Sequence, residues 1–383
     1  MLAPLGLLLL TALSTDFGAV PTELVPFLRY VVQLRAADGL NRVVRQEGDA
    51  KYGTVYGGAP EDANIAWVAA TAYRAEWSRF HRDEALRSEA FFLLDNLARI
   101  RADGRWDDGG LNAYFGLHSF AWAVLSWLET GAVDEARQAA WKAAVAAAAD
   151  DAMLVLGRSL TVGDYANPEF YYLSGLAAAW KVTGVEAYRA EAARALHRYD
   201  DRLWPGGGVP YFHESSPEHG YQQMVVKSVA LYYDLTADPA ALDWLRGLAG
   251  YFPMVQHRSG LVTNAEVPHL KHHIYAPINP AAPAMIAILT GDGANRQAAE
   301  VATLKRADNV ANRLPAWLGG NPNWYNYHHA TYAAAALRFL ERHALPAAVA
   351  PAPRRILFDP GYRGPRSHWD DFVAAVAAAA DDA

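Results

Sequence analysis

The sequence predicts an all-α protein, an (α/α)6-7 toroid in the form of an incomplete barrel of helical hairpins. Three observations carry this. Alanine, the strongest helix former, dominates many long segments, while β-branched runs with period-two alternation are scarce. Apolar residues recur at three- and four-residue spacing, as in Trp122, Leu125 and Leu128, the period of a helix with a buried stripe. The helical segments also come in pairs, with short breaks inside each pair and long connections between pairs.

The first pair covers about residues 64–101 and breaks near His81. The second covers 111–156 and breaks at Gly131. The third runs from Pro168 to Arg202 with its break at Gly184. The fourth runs from Glu218 to Phe252 and breaks at Asp238-Pro239. The fifth, from Pro280 to Asn312, breaks at Gly291-Asp292-Gly293. A sixth begins at Asn326 and reaches His343. Gly, Asp and Pro are the residues that end helices. Between pairs the connections are long: Arg101 to Gly110, Leu203 to Pro217, Met254 to Asn279 and Leu314 to Tyr325. Each follows a completed up-and-down pair, so all emerge on one face. An open solenoid has more uniform repeats, so the unequal loops favour the closed toroid. Long loops on a rigid scaffold are where function concentrates.

The expected layout is a signal peptide over 1–14, a toroid catalytic domain over 15–345, and a Pro- and Ala-rich tail over 346–383. The tail is read as irregular up to Arg366, with a last helix from Trp369 to Ala380. Leu5 to Leu13 is an apolar run too short to cross a bilayer, and Ala12-Leu13-Ser14 supplies small residues for cleavage. Lys and Arg are absent before it. A secreted or periplasmic protein is expected, with no membrane partner, since no other segment is apolar enough to span.

Of 383 residues, 52% are hydrophobic and 20% charged, the balance of a folded globular chain. The net charge of −7 and the scattered Lys and Arg argue against nucleic acid, which needs a basic stripe. A few cations in a cleft still suffice to bind an anionic sugar. The absence of cysteine removes disulfides, thiolate nucleophiles and Cys-based zinc sites. A monomer is expected.

Polar and aromatic clusters stand where first helices follow long loops. They are Asn112 to His118, Asn167 to Tyr172, His219 to Gln223, and Asn326 to His329. In a toroid the first helices form the inner ring, and their N-termini favour anions. Asn167 precedes Pro168 and reads as an N-cap whose amide is also placed to bind a substrate carboxylate. The stretch from Tyr211 to Tyr221 holds His213, Glu214, Glu218 and His219, two imidazoles suited to base chemistry and two carboxylates. The stretch from His269 to Asn279 joins His269, Lys271, His272, His273 and Tyr275. Adjacent His272 and His273 do not converge easily on one ion and no His-Glu-x-x-His helix exists, so no metal is expected. A tyrosine beside cations is set up to shuttle a proton. Aromatics at Trp106, Tyr114, Trp204, Tyr211, Trp324, Tyr325 and Tyr327 lie in or beside the long loops, and sugar faces stack on such rings.

The chain resembles the polysaccharide lyases with an α/α toroid, such as the alginate, glucuronan and heparinase-type lyases. The resemblance spans about residues 64–343 and rests on the order Asn167, His219, a basic cluster at Lys271 and His272, then Tyr275. It implies β-elimination on a uronic acid, in alginate or glucuronan-like glycans. Asn167 and a cation, drawn from Lys271, His272 and Arg258, would neutralise the carboxylate and acidify the C5 proton. His219 or Tyr275 would take that proton, and Tyr275 would protonate the leaving oxygen. Glu214 would bind the carboxyl group or orient His219. Sugar contacts are expected at Arg258, His213, Tyr221, Trp106, Tyr114, His118, Tyr171, Trp324, Tyr327 and His328. No cofactor is implied.

Two other readings stay open. A toroid glycoside hydrolase needs paired carboxylates, available among Asp107, Asp108, Asp164, Glu214 and Glu266, and a toroid sugar epimerase would pair His219 with His273. A non-catalytic helical-repeat glycan-binding protein would have a groove but no proton-transfer set.

Overall fold

A computed structural model describes residues 17–40, 59–102, 111–159, 166–204, 207–211, 217–256, 259–263, 275–311, 327–349, 357–358 and 365–366. Helices dominate them: α1 Leu24–Leu40, α2 Ala59–Arg74, α3 Glu84–Ala102, α4 Leu111–Leu128, α5 Glu135–Ser159, α6 Ala166–Thr183 and α7 Glu186–His197. After a short 3-10 turn at Asp200–Arg202 follow α8 His219–Thr236, α9 Pro239–Leu248, α10 Tyr251–Val255, α11 Ala281–Thr290, α12 Gly293–Ala311 and α13 Tyr327–Leu340.

Every hairpin break read from the sequence is a break in the structure. Gly131, Gly184 and Gly291 take positive φ there, the backbone state that glycine adopts without a Cβ penalty. Three features depart from expectation. Helix α1 was not among the anticipated pairs. The stretch from Met254 to Asn279, read as loop, contains the end of α10 and an antiparallel pair, β1 Leu261–Thr263 with β2 Tyr275–Pro277, in the register Val262 opposite Ala276. The tail, read as irregular up to Arg366, contains a second pair, β3 Leu357–Phe358 with β4 Pro365–Arg366. The segments assigned to signal peptide and last helix lie outside the described residues.

The chain divides into two compact units, one of residues 1–159, 178–189 and 325–334, the other of 160–177, 190–324 and 335–383. In the first, α2 packs on α4 and α3 on α5, with each hairpin's own helices also in contact, and α1 covers α2 and α3. First helices therefore form one layer and second helices another. The sequence explains which is which. Helix α2 is buried at nearly every position from Ala63 to Ala70, whereas α3 keeps one polar face. Aromatics fill the space between layers. Trp67 stacks on Trp122 with centroids 5.5 Å apart, and Phe91 stands edge-on to both Trp127 and Trp141. The Trp127 indole donates to the Ala66 carbonyl at 2.8 Å, so the buried ring leaves no orphan N–H.

The second unit repeats the scheme. Helix α8 packs on α9 and α11, α9 on α11, α11 on α12, and α10 on α12. Residues Ala281 to Ile288 of α11 are all buried. Phe170 of α6 packs on Tyr199 and Trp244, and the Trp244 indole donates to Asp200. Helix α9 starts on a built cap. Asp238 accepts from the Ala240 N–H at 3.0 Å and from the Tyr232 hydroxyl at 2.8 Å, with Pro239 at the first helical position. Asp238→Ala should cost about 1–2 kcal/mol in chemical denaturation, and Asp238→Asn should recover most of it.

Candidate functional site

The second unit gathers its polar side chains at the start of two first helices, α6 and α8. The strand-like segment 207–211 ties them together. The Ala166 N–H donates to the Tyr211 carbonyl at 3.1 Å, fixing the start of α6. Gln222 of α8 grips Val209 on both sides: its Oε1 accepts from the Val209 N–H at 2.8 Å, and its Nε2 donates to the Val209 carbonyl. The Tyr211 ring stacks on Tyr221 at 4.0 Å and 8°. The segment approaches the protein too closely for side chains at its start. A Cβ on Gly207, at φ +89°, would stand 2.8 Å from the Tyr251 nitrogen.

Further along, the Lys227 Nζ lies 4.8 Å from the centre of the Tyr171 ring. Starting at the shared anchor Tyr211 and moving to this contact follows both helices from N- to C-terminus. So α6 and α8 run parallel, with their N-terminal turns at the same end. Asn167 and Tyr171 share a face of α6 at i and i+4, and His219, Gln223 and Lys227 share a face of α8 at i, i+4 and i+8. The Lys227–Tyr171 contact shows that these two faces meet.

Asn167 was read as the N-cap of this helix. It stands instead in the first turn, since α6 begins at Ala166. Its side chain is 6% exposed, and the buried Oδ1 has no hydrogen-bond partner. Leaving such an atom unpaired costs about 1–3 kcal/mol, and buried polar atoms without partners are uncommon in folded proteins.

His219 is 3% exposed and opens α8. Glu218, itself buried, is the N-cap: one carboxylate oxygen accepts from the Tyr221 N–H at 2.9 Å. The other lies 3.5 Å from His219 Nδ1. That distance is long for a hydrogen bond, but the charge favours the proton on Nδ1 and leaves Nε2 as the basic nitrogen. Gln223 donates from Nε2 to the His219 carbonyl at 3.0 Å and accepts the Asn279 N–H at 2.6 Å. Asn279 caps the chain entering α11 by accepting from the Ala281 N–H at 3.1 Å. β2, which carries Tyr275, leads directly into Asn279, so its backbone is tied to α8 one turn from His219.

Lys227 is wholly buried, and desolvation holds its amine well below the usual lysine range. The sign of the linkage is then set. Between the depressed folded value and the ordinary unfolded one, the unfolded chain binds a proton that the folded chain does not. Stability therefore rises with pH across that window and is flat below it. Lys227→Met should remove this rise, read as the slope of unfolding free energy against pH.

Of the other expected site residues, Tyr221, Tyr114, His118 and Tyr171 are buried. Tyr221 stacks on Tyr211. Tyr171 sits under Lys227. His118, in the first unit, stands edge-on to Trp67 at 5.8 Å. These rings lie inside the helical layers and present no face to solvent. The side chains of Tyr275, Tyr327 and His328 are outside the described residues, as are Trp106, His213, Glu214, Arg258, Lys271, His272 and Trp324 altogether. The same holds for Asp107, Asp108, Asp164, Glu266 and His273. Among the described residues, no three His, Asp or Glu side chains gather as a metal-ligand group, and no helix is long and apolar enough to cross a membrane. Lys227 was not singled out from the sequence, and Glu218, Gln222 and Gln223 were read only as members of polar clusters, without a role. A polar stripe at helical spacing on an otherwise apolar helix was the available signal.

Paired helices in two layers, with polar first turns on the enclosed layer, are the arrangement of the α/α-toroid fold. Solved structures of that fold match. The chondroitin AC lyase of Streptomyces coelicolor aligns with a TM-score of 0.52 at 16% identity, over 87% of this chain and 48% of the lyase. The chain thus spans about half the length of that lyase, which has also been solved in complex with chondroitin sulphate. A sugar epimerase from a ruminal bacterium aligns with a TM-score of 0.55 at 11% identity, over 80% of this chain and 98% of the epimerase. The cellobiose 2-epimerase of Spirochaeta thermophila aligns at 0.53 and 14% identity, over 84% of this chain and 99% of that one. No protein-family model matches the sequence, and no curated protein matches it. The similarity to toroid polysaccharide lyases therefore holds for the fold, and the fold is shared with epimerases.

Proposed function

We propose that the chain cleaves uronic-acid-containing polysaccharides, alginate- or glucuronan-like, by β-elimination. The observation that carries this reading is the buried, unpartnered amide oxygen of Asn167, in the first turn of a helix whose parallel neighbour opens with His219. A half-turn of the amide about its soft terminal torsion exchanges acceptor for NH2 donor at the same point. The site can then donate to a uronate carboxylate, helped by the positive end of α6. Neutralising that carboxylate acidifies the C5 proton. His219 takes the proton, the C5–H electron pair forms the C4–C5 double bond, and the C4–O bond breaks. Tyr275 gives its proton to the leaving oxygen. Lys271, His272 or Arg258 supplies the cation. A polymer of this kind is met outside the cell, in keeping with the export expected from residues 1–14.

The test is to incubate the protein with alginate, glucuronan, hyaluronan and heparin and follow ultraviolet absorbance of the conjugated unsaturated uronate. New absorbance on one of them is the expected result. None on any of them, with reducing ends released from a neutral glycan, overturns the lyase reading. A second reading is supported by the match over nearly the whole sugar epimerase. On it, His219 would exchange a sugar C–H proton without chain cleavage. Deuterium uptake from heavy water into an intact disaccharide, with no unsaturated product, would favour it.

A further inference from the structure

The first unit carries a groove that the proposed chemistry does not use. It has a volume of about 640 Å³, lies along α3, and is closed on one side by the 132–137 segment that leads into α5. That volume suits a ligand of one or a few sugar units, being in the range of about 300–1,000 Å³ common to small-molecule clefts. Its wall is a stripe of α3 running from Arg87 to Arg99, about 18 Å of helix at 1.5 Å per residue.

Two guanidinium groups converge on one ring in this groove. The Arg137 carbon lies 5.2 Å, and the Arg87 carbon 5.7 Å, from the centre of Phe91. Arg99 stands at the far end. The groove's carboxylates are engaged within it. Asp95 accepts from the Trp141 indole at 2.8 Å and from Arg137 Nε at 3.0 Å. Asp134 accepts from the Arg137 N–H at 2.9 Å and from its Nη1 at 2.5 Å, and these bonds hold its carboxyl below the usual range. Arg87 is paired with Glu84. Arg137 is thus fixed at Nε and Nη1 and keeps Nη2 donors for a ligand. Beside these cations Phe92 leaves 48% of its surface open, and among the described residues the few other large exposed apolar side chains are aliphatic. An apolar ring face flanked by fixed guanidinium forks is the chemistry that recognises a pyranose carrying carboxylate or sulfate.

We propose that this groove is a second binding site, for an acidic oligosaccharide segment, which holds glycan without taking part in its chemistry. That the ligand is a sugar rests on the reading under Proposed function; that it is anionic rests on the arginines. The test is affinity electrophoresis of the full chain through gels containing alginate, heparin or uncharged dextran. Retardation by at least one acidic polymer, weakened by salt and absent in dextran, is expected. Phe92→Ser with Arg99→Gln should reduce it several-fold, while turnover of a short oligosaccharide stays unchanged. Arg87→Gln, tested separately, should act in the same direction. His219→Ala should be retarded like the parent protein, so retention is read whether or not elimination occurs. Retardation unaffected by the groove substitutions, equal retardation in dextran, or none in any acidic polymer overturns the proposal. Absence of unsaturated product with retention intact overturns only the lyase reading.

Discussion

His219→Ala should reduce elimination by about 10²–10⁴-fold, the share a positioned general base contributes. On the proposed elimination the loss should fall on kcat, because the imidazole would act on the C5 proton and not on the carboxylate that binds the substrate. Asn167→Ala should differ in kind. On the proposed mechanism its amide would neutralise charge that grows as the C5 carbanion develops, lowering kcat on removal, and would also bind the ground-state carboxylate, raising KM. Glu218→Gln should be milder than either. The neutral amide still accepts from the Tyr221 N–H, so the cap survives, while the bias on the His219 tautomer is lost. Because His219 is buried, the alanine variant must first be shown folded by circular dichroism and denaturant midpoint, with His219→Gln as the closer match in volume. If both variants keep parental turnover on a substrate the protein cleaves, His219 is not the base.

Much of the fold was legible because its signals are local. Gly131, Gly184 and Gly291 end helices by taking positive φ, and Asp238-Pro239 starts one by capping it. Such devices act within a turn of chain and leave their mark on the letters. The site was less legible because it depends on which helices lie beside each other. Tyr114, His118 and Tyr171 follow long loops, and position alone suggested an open cleft. Burial on all sides of the first helices, a property of layer packing, encloses them. Conversely, Gln222 and Gln223 stood in a polar cluster with no role assigned, and Lys227 read as an ordinary helix residue. Their roles appear only when Val209, Asn279 and Tyr171 are brought against α8 by chain that is distant in sequence. The β1–β2 pair was missed for a related reason, since three-residue strands carry too little periodic pattern to stand out from loop.

The largest stability effect is expected at Asp234, on the last turns of α8. Its side chain is 3% exposed and lies between Arg338, in the last turn of α13, and Arg342 just past its end, accepting from Arg338 Nε at 2.7 Å and from Arg342. The two pairs are unequal. Arg338 is 15% exposed and Arg342 49%, so screening by water leaves the second worth about 0–1 kcal/mol. The first is largely desolvated. Asp234→Ala would leave the Arg338 guanidinium without its carboxylate in a site that water reaches poorly, and breaking a buried pair from one side costs about 3–5 kcal/mol. Arg342→Ala should cost a few tenths of that. A double substitution, Asp234→Leu with Arg338→Met, should recover most of the loss, because it removes both charges and keeps the volume apolar. Equilibrium denaturation of the three variants beside the parent protein checks this order. The consequence reaches the site, since α8 carries His219 at its other end and is held at its C-terminal end by this clamp. If Asp234→Ala unfolds with the parental midpoint, the ion pairs are surface contacts and α8 is fixed by its apolar packing alone.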